Sequence, residues 1–399
     1  MLAHLIATYR TQRDRAVAAM ITAAAARVPA FAARIAAAGV DPTTVRSAED
    51  LARLPVFTKD QLLAAQRADP PFGGLVAADA PIARVFVSPG PLYEPQLAGG
   101  DPWHWAAAVR ATGIGPGDRV LNCFSYHFSP AGAMLEEGCL AAGATVIPAG
   151  VGNQELQVQV AAELGATAYV GLPSYLKALV EKSAERGVGW TIRRALVTAE
   201  PLPDSLRAWF APHISTVLQA YGTAEAGLLG HETAPRSGLA IPDDVLIEIC
   251  DLDTGASRLD DGIGQVVVTR FNPAAPLVRF GTGDLSAWTT GPDGSLRLSG
   301  VLGRTGEAVK VRGLFLHPRQ AAAALAPIAA VVRHRFVVRR ADHQDTLRCE
   351  LVLAAGADEV SVAQAVRDQI RAALRLGAEV ACVATLPDGP TIIDERDWK

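Results

Sequence analysis

Residues 118–148 read DRVLNCFSYHFSPAGAMLEEGCLAAGATVIP. An aliphatic run, Asp118–Asn122, has the length and composition of a buried strand. A stretch rich in Ala, Leu and Glu, Gly132–Ala142, reads as a helix, and Ala144–Pro148 returns as a second strand. The alternation continues downstream. Helices are expected at Gln154–Leu164 and Ser174–Arg186 around a strand at Thr167–Val170. A strand at Arg194–Val197, a helix at Ser205–Phe210 and a strand ending near Tyr221 follow. Repeated αβ units of this length predict a largely parallel sheet with helices on both faces.

Upstream, residues 1–65 read as helices broken by Pro29 and by the turn at Asp41-Pro42. Thr58 is placed as the N-cap of a further helix. A strand is expected at Ala83–Val87, then a Pro/Gly-rich loop, Ser88 to Pro95, then a helix at Trp103–Thr112. From Val245 the texture changes. Short runs at Val245–Asp251, Gly264–Arg270, Leu285–Thr289 and Ser295–Leu298 lie between Asp, Gly and Pro turns and read as antiparallel strands. From about Gly303 a compact α+β pattern begins. Strands at Ala308–Arg312, Arg335–Arg339, Thr346–Val352 and Glu379–Thr385 alternate with helices at Pro318–Leu325 and Ser361–Leu376. The fold class expected is α/β: a large N-terminal domain, 1–302, with a β-rich subdomain, and a small α+β domain, 303–399, with no internal repeat or low-complexity linker between them.

Of 399 residues, half are hydrophobic and a fifth charged, which suits packed cores rather than disorder. The formal charge of -4 gives no basic footprint for a nucleic-acid partner. Cys123, Cys139, Cys250, Cys349 and Cys382 are scattered and never form C-x-x-C, so reduced, buried thiols are expected. The apolar run Ala16–Ala26 is too short to span a bilayer. Flanked by arginines, it fits an amphipathic helix, and a cytoplasmic protein with no membrane partner is expected. Lysine is scarce: Lys59, Lys177, Lys182, Lys310 and Lys399 are all there are.

Three segments carry chemistry. They are Tyr221-Gly222-Thr223-Ala224-Glu225, then Arg279-Phe280-Gly281-Thr282-Gly283-Asp284-Leu285, then Gly303-Arg304 running to Lys310-Val311-Arg312-Gly313. In this order and spacing they resemble the motifs of the adenylate-forming enzymes. Leu54-Pro55-Val56-Phe57-Thr58-Lys59, Gly152-Asn153-Gln154-Glu155, Leu172-Pro173-Ser174-Tyr175 and Thr198-Ala199-Glu200-Pro201 resemble the phenylacetate–CoA ligase branch. The resemblance spans about residues 40–395. It implies a mobile C-terminal domain and a two-step reaction in which a carboxylate and ATP give acyl-AMP, whose acyl group then passes to CoA.

The resemblance implies roles for matching residues. Glu225 would hold Mg²⁺, which favours one or two carboxylates plus substrate phosphates. Tyr221, Gly222 and Thr223, with Thr198, Ala199, Glu200 and Pro201, would surround adenine, the Tyr221 ring offering a stacking face. Asp284, read as following two glycines in a turn, and Arg304 would hold ribose. Ser88 and Gly90 would belong to the phosphate loop, and Gly313 to the hinge segment. Tyr126, His127, Phe128 and Ser129 would line the pocket of a small carboxylic acid, whose aromatic walls suit an aryl acid. A homodimer is compatible with the resemblance.

The sequence also departs from the family. The phosphate loop carries Pro91 and Leu92 where threonines are expected and Glu94 where a lysine is expected. Each proline removes a backbone donor. A carboxylate about 4 Å from a phosphate charge costs roughly 4 kcal/mol at an effective dielectric of 20. Ala224 replaces a hydroxyl residue. Pro390, in Asp388-Gly389-Pro390-Thr391, stands where the family has its C-terminal catalytic lysine, leaving Lys399 or an arginine as the substitute. The Cys/His zinc ligands of some relatives have only His231 as a counterpart, so no structural zinc is expected. Gly306-Glu307 should still allow hinge rotation. Three readings remain open: a complete acyl- or aryl-CoA ligase using ATP, CoA and Mg²⁺; a homologue that only binds a nucleotide or acyl-adenylate, or performs only the thiol-transfer step; and transfer of the activated acyl group to an amine.

Overall fold

The computed structural model describes residues 1–88, 91–305, 309–312, 314–316 and 318–396. Gly90, Gly306, Glu307, Gly313 and Lys399, singled out above, lie outside the described residues. The chain forms two compact units, Met1–Thr305 and Gly306–Lys399.

Alanine-rich, apolar-striped sequence makes three N-terminal helices, α1 (Leu2–Thr11), α2 (Asp14–Arg27) and α3 (Pro29–Ala37). Pro29 opens α3 at its first turn, where a missing N–H costs nothing. Val17, Ile21 and Ala24 recur at helical spacing on α2 and are fully buried, facing the same core as Phe31 and Ile35 of α3. Among the described residues no single helix is long and apolar enough to cross a membrane. Helix α4 (Lys59–Ala68) starts at a capping box: Thr58 Oγ1 accepts from Gln61 N–H, and Gln61 Oε1 accepts from Thr58 N–H.

The stretch expected to be a loop is largely a hairpin. Strand β1 (Ile82–Ser88) pairs antiparallel with β2 (Leu92–Leu97). Pro95 sits opposite Val85, which a two-stranded ribbon tolerates because one side of β2 needs no donor. Helix α5 (Ala106–Ala111) starts later than expected. The Asp101 carboxylate accepts from Trp105 N–H and Ala106 N–H at 2.8 and 2.7 Å and fixes where the chain enters it.

The αβ alternation follows as β3 (Arg119–Asn122), α6 (Ala131–Ala141), β4 (Thr145–Ile147), α7 (Gln154–Glu163), β5 (Ala168–Gly171), α8 (Pro173–Glu185), β6 (Arg194–Val197), α9 (Asp204–Phe210) and β7 (Thr216–Thr223). A strand that the sequence reading missed, β8 (Gly227–His231), folds back antiparallel on β7. The sheet order is β4-β3-β5-β6-β7-β8, parallel up to β7. The chain's direction of growth reverses between β3 and β5. In open α/β sheets ligands collect at such a switch point, outside the carboxyl ends of the strands.

Strands β9 (Val245–Cys250), β10 (Gly264–Arg270) and β11 (Phe280–Ser286) join the short strand Gly303–Arg304 in a second, antiparallel sheet. Asp284 therefore lies in a strand, not in the turn expected from its glycines. Gly283 does take φ 78°, but it does so inside β11, where the register against β10 shifts and Asp284 pairs with Arg304.

The C-terminal unit has its own core. Strands Val331–Ala341 and Gln344–Leu353 pair antiparallel, flanked by Glu379–Cys382 and Ile392–Asp394 in parallel register. Phe336, Val338, Leu347 and Leu351 bury against Val366 and Ile370. The helix expected at Ser361–Leu376 runs regularly only over Glu359–Gln369, then widens to a π-turn at Ile370–Leu374 and stops at Arg375 with φ 57°.

All five cysteines are free thiols, and four are buried; Cys382 is half-buried. Under native, non-denaturing conditions a small thiol reagent is expected to label Cys382 alone. Rapid labelling of a second cysteine would show that one of these cores opens readily.

Candidate active site

Strand β7 ends at the turn that carries Glu225. Gly222 is required there: a Cβ would lie 2.5 Å from the Gly227 carbonyl oxygen and 2.7 Å from the Trp105 ring. The tight β7–β8 crossing buries the Glu225 side chain to 6% exposure. Its Oε1 lies 2.6 Å from Lys59 Nζ, at the N-terminus of α4. Burial opposes the charge on Glu225. The Lys59 ammonium outweighs it, helped by the Thr223 hydroxyl, and holds the carboxyl below its usual range. For Lys59, burial works against the charge and Glu225 more than offsets it, so the ammonium is held above the ordinary lysine range.

Lys59 is the residue of this ion pair to which sequence reasoning gave no role. Local sequence places it correctly, one residue past the Thr58 cap. Its partner comes from the far end of the parallel sheet; in the sequence, the scarcity of lysine and its place at the end of the 54–59 stretch marked it out without a role.

A second cluster lies at the junction of the two sheets. Tyr221 is buried, and its Oη donates to Asp284 Oδ2 at 2.9 Å, with Thr282 Oγ1 at 3.2 Å. Arg304 Nε donates to Asp284 Oδ1 at 2.6 Å from the paired strand. The structure thus brings Tyr221, Asp284 and Arg304 together. It packs the Tyr221 ring against the core, leaving the residue 7% exposed. Burial first, and then the Asp284 charge, push the Tyr221 hydroxyl well above the normal phenol range, so it remains a donor.

Arg279 is the motif residue whose structural role is clearest. It is 2% exposed and has φ 46°. Its guanidinium bonds Glu248 at 3.2 Å, the Leu54 carbonyl at 2.6 Å and the Gly255 carbonyl at 2.7 Å. Its own carbonyl accepts from Phe57 N–H at 2.7 Å. One residue therefore ties β9 and β11 to the segment leading into Thr58 and Lys59.

Segment Thr198–Pro201 leaves the carboxyl end of β6. Thr198 is buried, and its N–H donates to the Gly171 carbonyl at 3.2 Å. Ala199 has φ 70°, a left-handed conformation that costs a non-glycine residue energy and is often found where a site is shaped. Glu200 Oε2 accepts from Ser174 N–H, at the start of α8.

Residues Tyr126–Ser129 follow β3, beside the switch point. Tyr126 turns inward and its Oη accepts from Asn122 Nδ2 at 2.8 Å. His127 and Phe128 turn outward, Phe128 being 69% exposed with φ 52°. The Phe128 carbonyl, which accepts from Val87 N–H at 2.8 Å, fixes this loop to β1.

On the hairpin, Ser88 and Glu94 are both buried, and Ser88 Oγ donates to Glu94 Oε1 at 3.0 Å. In the C-terminal unit, Pro390 is exposed on a loop held by Arg333. That guanidinium donates to the Leu386 carbonyl at 3.1 Å and to Asp388 at 3.2 Å. His231 is held near 4 by burial and by Arg297, hence neutral. No group of three His, Cys, Asp or Glu side chains is placed to hold a metal among the described residues.

Residues 103–274 match the AMP-binding enzyme family. The phenylacetate–coenzyme A ligase of Thermus thermophilus is 32% identical over 336 residues, covering 79% of this chain and 74% of that protein. The namesake enzyme of Pseudomonas putida is 28% identical, covering 73% and 70%, and that of Escherichia coli 26%, covering 82% and 78%. Among solved structures, 2-hydroxyisobutyryl-CoA ligase in complex with 2-HIB-AMP and CoA superposes with a TM-score of 0.85 at 24% identity, covering 98% of this chain and 92% of that one. The amide bond synthetase McbA of Marinactinospora thermotolerans gives 0.60 at 22% identity, covering 78% and 67%. These two structures speak to the fold alone. With a relative of nearly one-third identity across most of both chains, this protein belongs to the phenylacetate–CoA ligase branch of the adenylate-forming enzymes.

Proposed function

We propose that the protein is an AMP-forming CoA ligase that activates an aromatic carboxylic acid as its acyl-adenylate. In the first step the acid's carboxylate oxygen attacks the α-phosphorus of ATP and pyrophosphate leaves. In the second, the CoA thiol attacks the acyl carbonyl and AMP leaves. The observation that carries the reading is the Tyr221–Asp284–Arg304 cluster standing beside Glu225 where the sheets meet.

A carboxylate has about four lone-pair directions. Arg304 and Tyr221 each take one on Asp284. The others remain for two ribose hydroxyls, with Tyr221 fixing the carboxylate rather than stacking on adenine. Ala199 and its neighbours, beyond the carboxyl end of β6, would border the base. Tyr126 and the Tyr126–Ser129 loop would border the acid.

Mg²⁺ suits a single protein carboxylate supplemented by phosphate oxygens. Glu225 fits that role: it is ionised, buried and already neutralised by a cation, Lys59. When bound, Mg²⁺ would neutralise phosphate charge. The Lys59 side chain, 40% exposed, would then turn towards the phosphates. A cytoplasmic location and a homodimer complete the proposal.

Incubation with ATP, CoA and a panel of benzoates and phenylacetates should yield acyl-CoA and AMP. No product with any acid, and none from synthetic phenylacetyl-AMP plus CoA, would refute it. The narrower reading, thiol transfer alone, is favoured by Glu94 and Pro390. It predicts product only from the preformed adenylate.

Tyr221→Phe should weaken AMP binding about tenfold, because Asp284 loses a hydrogen bond to a charged group, a contact worth roughly 1.5–3 kcal/mol. Unchanged affinity by calorimetry would mean that Asp284 does not touch the nucleotide.

A further inference from the structure

Arg34, Ala37 and Ala38 fall at i, i+3 and i+4 on α3, so they share one face of the helix. The two alanines leave a hollow beside the arginine that longer side chains would fill. Pro55, Val56 and Phe57 form the facing wall, and Gln61 of α4 closes the end. The wall is preformed, because Phe57 N–H donates to the Arg279 carbonyl at 2.7 Å and Phe57 bridges to Phe280. The result is a cleft of about 270 Å³. None of Glu225, Asp284, Arg304 or the Tyr126–Ser129 loop lines it.

Among the described residues that line the cleft, Arg34 alone is charged. Its guanidinium carbon lies 4.4 Å from the Phe57 ring centroid, a cation–π contact. Its Nη2 donates to the carbonyls of Pro55 and Val278 at 3.3 and 3.0 Å. Among the described residues, its Nε and Nη1 have no hydrogen-bond partner, and no carboxylate lies within ion-pair distance of it. The charge that acts on Arg34 is that of Arg279, whose own carboxylate partner is Glu248 at 3.2 Å. Two guanidiniums therefore stand with one carboxylate, and one positive charge is left uncompensated. Burial, and then Arg279, lower Arg34 to about 10, so it is still a cation at neutral pH.

We propose that this cleft is a second binding site, taking a small monocarboxylate whose carboxylate sits on Arg34 and whose apolar body lies along Val56 and the alanine face of α3. The site is built from residues outside the nucleotide reading above and does not depend on it.

The chemistry of the walls selects this class of ligand. A guanidinium drawn out of water without a counter-charge is costly. A carboxylate supplies the missing charge, and its hydrogen bond to a guanidinium is roughly twice as strong as a neutral one. Gln61 Oε1 is held by Thr58 N–H, which leaves the Gln61 amide nitrogen as a second donor at the rim. A phosphate ester, with about two negative charges at neutral pH, exceeds the single charge available. The remaining lining is apolar and asks for an apolar body behind the carboxylate. The volume falls just below the roughly 300–1,000 Å³ of pockets for drug-sized ligands, which suits one ring and excludes a nucleotide.

The experiment is calorimetric titration of benzoate into the full chain, with benzamide as the neutral control and sodium phosphate as a competitor. Arg34→Gln removes the charge. Ala37→Trp fills the cleft and leaves the Arg34 hydrogen bonds in place; Ala37 is exposed at the end of α3, so the fold tolerates the larger side chain. Wild type should bind one equivalent of benzoate more than either variant, whatever it binds elsewhere. For that equivalent benzamide should be weaker by about tenfold or more, the loss expected when a hydrogen bond to a charged group becomes a neutral one. Excess phosphate should not displace it. Equal stoichiometry in wild type and Ala37→Trp overturns the proposal even if Arg34→Gln fails to fold. Displacement by phosphate overturns the choice of a monocarboxylate. Acyl-CoA formation without the extra equivalent removes this site and leaves the ligase reading standing; the extra equivalent with no acyl-CoA from any acid does the reverse.

Discussion

Glu225→Gln should lower kcat/KM for acyl-CoA formation by about two to three orders of magnitude, the usual cost of removing one preorganised electrostatic group. The substitution preserves shape and some hydrogen bonding but removes the charge. Two consequences follow. The would-be Mg²⁺ ligand becomes a weaker neutral donor atom, and Lys59 loses the ion pair that keeps its ammonium in place. The effect should fall on the adenylation step, where phosphate charge is handled. Transfer from synthetic acyl-AMP to CoA should suffer much less. Rates of the two half-reactions, measured separately, check this. Equal losses in both would mean that Glu225 supports the fold of the site rather than the phosphates.

Arg279→Met is expected to destabilise the N-terminal unit by about 3–5 kcal/mol, the range for breaking a buried ion pair by removing one partner. Glu248, 2% exposed, would keep the Ser257 hydroxyl as its one side-chain partner among the described residues. The Leu54 and Gly255 carbonyls would lose their donors. At about 2 °C per kcal/mol for a unit of this size, the melting temperature should fall by roughly 6–10 °C. Arg279→Lys should rescue little, because an ammonium cannot reproduce the planar fork that bonds a carboxylate and two carbonyls at once. A melting temperature within 2 °C of wild type would contradict the structural role. The segment from Leu54 to Lys59 also hangs on Arg279 and Phe280, so the folded fraction of this variant should bind nucleotide poorly.

The sequence made the parallel sheet legible because each strand from Arg119 to Val197 is a short aliphatic run framed by a helix of regular period. Burial on both faces of such a sheet requires that pattern. Boundaries drifted by a residue or so. Strand β2 was missed because Pro95 and its neighbours read as a loop, whereas the pairing that holds the hairpin comes from β1 and from Gln66 of α4. Strand β8 was missed because Gly227 and Gly230 weaken any local β signal; its position is set by β7 and Trp103. Asp284 was read into a turn because of its glycines; Gly283 does take φ 78°, but within an irregular strand whose ends are held by β10 and by Gly303–Arg304.

Among candidate site residues, the motif order pointed to Tyr221, Glu225, Asp284 and Arg304. The roles it suggested were less secure. A ring expected to stack lies in the core, and a hydroxyl with no assigned part orients Asp284. Two outward-facing residues, His127 and Phe128, look equivalent to Tyr126 in sequence. The hydrogen bonds of Tyr126, to Asn122 and Glu136, distinguish the residue that turns in. Neither Lys59 nor the burial of Glu94 was accessible from local sequence. Both depend on the docking of α4 against the hairpin and the β7–β8 turn.

The most direct test of the account is ATP–pyrophosphate exchange by the wild-type protein at pH 7 with benzoate, phenylacetate and their hydroxylated analogues. Exchange that depends on one of these acids and on Mg²⁺, and that is nearly lost in Glu225→Gln, is the result predicted. Exchange equally strong in Glu225→Gln, or none with any acid while AMP still binds, would contradict the claim that this site forms an aryl-adenylate.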